Sequence, residues 1–134
     1  MRDPHLTKPT RGTSYVAKDK VLGRMKVISD SMRENREMQL IIQKSRAVAE
    51  KEIHEVIVTE EKDAKPGAKV DTVAYQGFFE VINGGLISVG DHLIIGNKFI
   101  GKVCGFDETH YPNHINIVVI TDKLATGLGN QLQL

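Results

Sequence analysis

Between Val70 and Thr121 the chain changes direction too often to hold anything but short extended segments. Asn83-Gly84-Gly85, Gly90-Asp91 and Gly96-Asn97 separate the apolar runs Val70–Ile82, Leu86–Val89, His92–Ile95, Phe99–Phe106 and Ile115–Thr121. Gly, Asn and Asp tolerate the positive φ that tight turns require. The intervals leave no room for the dozen or so residues of a crossover helix, so the spacing predicts antiparallel strands that close into a small β-barrel. Ile53–Val58 belongs with them, because its residues alternate with both sides partly apolar.

Upstream the pattern differs. Lys20–Ser29 reads as a strand with Gly23 as a kink or bulge. Ser31 and Glu34 have the spacing of a reciprocal capping box. Met38, Ile41, Ile42, Ser45 and Val48 or Ala49 then recur at three- and four-residue steps, with Arg33, Arg36, Glu37, Lys44 and Glu50 between them. That predicts one amphipathic helix, about 31–51, packed against the barrel. The expected fold is therefore mainly β with one helix, in a single domain at 15–134 behind a polar N-terminal arm at 1–14.

The 134 residues suffice for one core. With 18 basic and 17 acidic residues the net charge is +1, which gives no field to gather nucleic acid. Aromatics are 5% and Trp is absent, too few for a base-stacking platform. No apolar run approaches the roughly 20 residues of a membrane helix, so no membrane insertion is expected. The lone Cys104 forms no internal disulfide and fits a reducing, cytoplasmic compartment. In an apolar strand it reads as a core hydrophobe, not a nucleophile. Tyr75, Phe78 and Phe79 read as core or a subunit contact.

The densest chemistry is FDETHYPNHIN, which places Asp107, Glu108, His110, Asn113 and His114 between two strands. A loop there can converge side chains on one point. These are ligand-binding candidates, and imidazoles with carboxylates are also a transition-metal ligand set, for which His92, His110 and His114 are the candidates. Equally, one imidazole can act as a general base or phosphoryl acceptor with Asp107 or Glu108 fixing its tautomer. Against a site, Pro112 excludes a helix, so the spacing of His110 and His114 fixes no common face, and His and Asn are ordinary turn residues.

The run from Gly84 to Asp122 resembles the C-terminal half of the glucitol/sorbitol-specific enzyme IIA component of the bacterial phosphotransferase system. Gly90, Asp91, Leu93, Ile95 and Gly96 match that family's first turn-strand element, Val103 and Gly105 the second, and His114 the histidine of the third. With a similar upstream order, the resemblance covers about 20–122. It implies a barrel and a phosphoacceptor histidine, whose position falls near Tyr75, Gln76 and Gly77. None of these is His, so the resemblance implies the scaffold without the phosphoacceptor.

The expected function is a domain binding a small polar ligand or a partner protein. The alternatives are a small metal-assisted enzyme built on 107–114, and a structural subunit of a homo-oligomer; with the last in view, a homo-oligomer is expected. No resident cofactor is expected unless the histidines hold a transition metal.

Overall fold

The computed structural model describes residues 20–134, and the expected arm at 1–14 lies outside them. Eleven strands follow in order: β1 (Leu22–Ile28), β2 (Met32–Arg33), β3 (Met38–Gln39), β4 (Ser45–Val48), β5 (Ile53–Thr59), β6 (Lys69–Val70), β7 (Val73–Asn83), β8 (Gly85–Ser88), β9 (His92–Ile95), β10 (Lys98–Asp107) and β11 (Asn116–Ile120). The main sheet runs β1-β7-β5-β11-β10-β9, with β2 also on β7. Two small two-stranded sheets, β3-β6 and β4-β8, complete the fold.

Both faces of the main sheet are covered. On one face, Val56, Val58, Val81, Val103, Phe106, Ile117 and Val119 pack with Val48 of β4 and Ile87 of β8. On the other, Ile57, Val73, Cys104 and Val118 pack with Met38 of β3, Leu40 and Val70 of β6. Successive residues of a strand point to opposite faces, so a strand covered on both sides must be apolar throughout. That is why β5 and β11 read as near-continuous apolar runs, Ile53–Thr59 and Asn116–Ile120.

Three expectations are corrected. First, the described residues contain no helix: 31–51 is extended chain, carrying β2, β3 and β4. Asn35 and Glu37 have φ of 54° and 51°, which breaks any helical run. The backbone groups there bond across the fold instead, Arg36 N–H to Asp71 O, Leu40 N–H to Ala68 O and Ile41 N–H to Phe106 O, each at 2.9 Å. Ser31 is likewise no cap, since its carbonyl accepts from Tyr75 N–H at 2.9 Å. The buried residues are Met38, Leu40 and Val48, while Ile42 is 75% exposed; the spacing is not that of a helix face.

Second, the barrel is not closed. β1 and β9 end the sheet and do not pair with each other, leaving an open half-barrel. β8, expected to extend the meander, pairs with β4 instead, and this small sheet covers the concave side in place of closure. Third, the sheet is not wholly antiparallel, because β11 pairs with β5 in parallel, Asn116 opposite Glu55 through Ile120 opposite Thr59. The excursion from β5 to β11 carries five strands, so it needs no crossover helix.

Several expectations hold. β1 lies within the extended stretch expected at Lys20–Ser29, with a register shift between Leu22 and Gly23. The Gly96–Asn97 turn joins β9 to β10 as an antiparallel hairpin, with Gly96 at φ 62°. No helix long and apolar enough to cross a membrane occurs among the described residues.

Candidate functional site

The strand register assembles a polar cluster on the face that carries Ile57 and Val118. Asn116 opens β11 beside Glu55 of β5, and Asp107 closes β10 opposite Asn116. Asp107 is 2% exposed; it accepts hydrogen bonds from Asn116 Nδ2 at 2.8 Å and Thr109 Oγ1 at 2.7 Å. From the segment between β2 and β3, Arg36 brings Nη2 to 3.9 Å from Asp107 Oδ2, while its Nε donates to the Tyr75 hydroxyl at 3.3 Å.

Glu55 is 8% exposed, and its Oε1 lies 3.6 Å from His114 Nε2. Burial pushes the Glu55 carboxyl up to about 7, Arg36 opposing and Asp107 adding. Burial likewise holds the His114 imidazole below its ordinary value, helped by His110 and His54 and opposed by Asn116 and Asp107. The His114 ring is held on three sides. Nδ1 meets Asn113 Oδ1 at 2.7 Å, the His110 ring stacks on it at 5.1 Å, and Phe78 meets it edge-on at 5.1 Å. His114 Nε2 and Asn116 Oδ1 are both buried, and the Asn116 side chain is the neighbour that favours a proton on the His114 ring. A neutral imidazole beside a carboxyl that retains its proton near neutrality is an arrangement able to pass a proton or bind a polar group.

Of the residues singled out from sequence, Asp107, His110, Asn113 and His114 come together. Glu108 does not: it pairs with Arg46 at 2.8 Å, whose guanidinium lies 5.3 Å from the Tyr111 ring centroid. His92 is also separate, opposite Lys102 on β10 and beside Phe99 at 5.2 Å. Lys102 is five residues from Asp107 on that strand, or roughly 17 Å at about 3.3 Å per residue. The set His92, His110 and His114 is thus not assembled, and no group of three or more His, Cys, Asp or Glu among the described residues is placed to hold a metal ion.

Sequence reasoning missed Arg36, Glu55 and Asn116. The available signal for Glu55 was an acid inside a strand whose two sides are both apolar. His54, also buried, is structural: Nδ1 accepts from Ile115 N–H at 3.1 Å, which leaves Nε2 to donate to Glu52 at 3.0 Å. Gln76, where the resemblance puts the phosphoacceptor region, is fully buried. It donates to Ala125 O and accepts from Asn130 Nδ2, both at 2.7 Å, tying down the C-terminal segment. Cys104 is a core residue as expected; its thiol donates to Val118 O at 3.4 Å, and burial pushes it up to about 12.

The opposite, concave face carries a second feature. Where β1 and β9 fail to meet, a cleft of about 810 Å³ opens. Its floor is Val56, Phe79, Ile87, Val103 and Ile117, and its walls are Leu22, Met25, Leu93 and Ile95 of the edge strands. Lys20, Arg24, His92 and Asp91 also line it. Asp91 is engaged locally, its Oδ2 accepting from Ser88 N–H at 2.8 Å. Leu22 and Ile94, on its two edge strands, are 52% and 60% exposed.

The chain belongs to a family of unknown function, DUF6917, which matches residues 15–134. No curated protein and no solved structure matches it.

Proposed function

We propose that this family member is a ligand-binding domain that takes an elongated amphipathic carboxylate in the cleft between β1 and β9. The observation that carries the reading is the cleft itself: about 810 Å³, within the roughly 300–1,000 Å³ usual for ligand sites, with an apolar floor and few polar groups. Closed β-barrels of about eight strands hold one small ligand in an apolar interior, and the cleft of this open sheet offers a lining of the same kind. Lys20 and Arg24 at the cleft give a carboxylate head its charge partner, and the floor takes the acyl chain. Each methylene buried contributes about 0.8 kcal/mol before the cost of association, so a chain of about a dozen carbons is expected to bind in the micromolar range. The reading keeps from the sorbitol-specific resemblance only a scaffold without its phosphoacceptor, in line with the structural task of Gln76.

Calorimetry with dodecanoate and dodecanol tests it. Dodecanoate is expected to bind at one site, dodecanol more weakly, and Leu93→Trp, which fills the cleft, to weaken dodecanoate by about tenfold or more. Absence of saturable dodecanoate binding, or unchanged binding in Leu93→Trp, refutes it. A second reading, self-association through the β9 edge, is favoured by Ile94 and Phe99, which pair across the hairpin at 60% and 52% exposure. Light scattering that gives a monomer mass removes it.

A further inference from the structure

The cleft between β1 and β9 is walled by strand backbone as well as by side chains. Leu22, Gly23, Arg24 and Met25 of β1 line it without a break, and so do Leu93, Ile94 and Ile95 of β9. Successive side chains of a strand point to opposite faces, so an unbroken run reaches one cleft only where the strand's edge opens onto it. Both strands are ends of the main sheet. On such an edge, half of the N–H and C=O groups face away from the neighbouring strand.

On β9 the hairpin register identifies them. Ile95 pairs with Lys98 across the two-residue turn Gly96–Asn97, with Gly96 at φ 62°; residues flanking a two-residue hairpin turn exchange both of their backbone hydrogen bonds. Ile94, one residue back and opposite Phe99, therefore turns its N–H and C=O away from β10. No described strand lies beyond that edge, and Ile94 is 60% exposed, so water reaches these groups. An acyl chain laid along the cleft displaces that water and brings no hydrogen-bonding group of its own, which weakens its binding. An amide in the ligand restores both partners. Resting on the carboxylate-binding reading of the cleft, we infer that its ligand is an N-acyl amino acid. The amide N–H donates to the Ile94 carbonyl, and the Ile94 N–H donates to a ligand oxygen. The acyl chain covers Val56, Val103 and Ile117, and the carboxylate meets the cations Lys20 and Arg24.

The test is calorimetry on the full chain with N-dodecanoylglycine, O-dodecanoylglycolate and dodecanoate, each below its micelle-forming concentration. The first two have the same length and charge and differ in one N–H, which the ester replaces with oxygen. N-dodecanoylglycine is expected to bind at one site about tenfold or more tighter than the ester and than dodecanoate. In a parallel NMR titration the Ile94 carbonyl carbon is expected to shift with the amide and not with the ester. Equal affinity for amide and ester, with dodecanoate also bound, overturns the inference and leaves the carboxylate-binding reading standing. An amide preference with an unmoved Ile94 carbonyl overturns the inference as well. Failure of all three ligands to bind overturns both.

Discussion

Replacing Glu55 with Gln gives a pH-dependent gain in stability whose size follows from the burial of this side chain. In the folded chain the carboxyl is raised from 4.5 to about 7. A carboxyl raised on folding favours the native state while protonated, so its contribution is full below the unfolded value and is lost as pH rises through the folded one. At 1.36 kcal/mol per pH unit, and allowing for the solvent that still reaches the side chain, the loss between about pH 4.5 and 7 is on the order of 2 to 3 kcal/mol. Gln cannot ionise and escapes it. His114 works the other way: held below 6.5, it adds stability above that pH which is lost as pH falls through its folded value. It is present in both proteins and cancels to first order in their difference. Urea denaturation of wild type and Glu55→Gln at half-unit steps is the assay. The variant's advantage is expected to grow from a constant offset below about pH 4.5 to a plateau about 2 to 3 kcal/mol higher above about pH 7.5. A difference that does not change with pH refutes the account of a buried carboxyl.

Other consequences follow from the packing. Gly77 has φ 145° and a methyl there would run into the Val27 carbonyl of β1; Gly77→Ala is expected to cost upwards of about 2 kcal/mol and to expose β1 amides to hydrogen exchange. Met38 is fully buried between β3 and the main sheet, so Met38→Ala is expected to lower stability by about 2–5 kcal/mol in chemical denaturation. Gln76→Leu strands Asn130 Nδ2 and Ala125 O; the expected cost is about 2 kcal/mol, with faster amide exchange across 125–132 than in β5.

The strands from Ile53 onward were legible because their turns are marked by glycines at positive φ, Gly90 and Gly96 among them. The segment 31–51 was not. Met38, Ile41, Ile42 and Val48 fit a helical stripe by spacing, yet Ile42 is exposed and Leu40, outside the stripe, is buried. Short strands paired with distant segments, β3 with β6 and β4 with β8, leave no local period to read. Part of the polar cluster was visible because Asp107, His110, Asn113 and His114 are sequence neighbours. Asn116 and Glu55 join it through the parallel β5-β11 pair and Arg36 through the β2-β3 connection, which spacing alone does not reveal. Openness between β1 and β9 was invisible for the same reason: closure depends on which strands find each other.

The most direct test of the central claim is amide chemical-shift mapping during a dodecanoate titration. The account predicts saturable shifts concentrated in Leu22–Met25 and His92–Ile95, the two edge strands that line the cleft, with Glu55, Asp107 and His114 unmoved. Shifts absent from both edge strands, or centred on the polar cluster of the opposite face, contradict it.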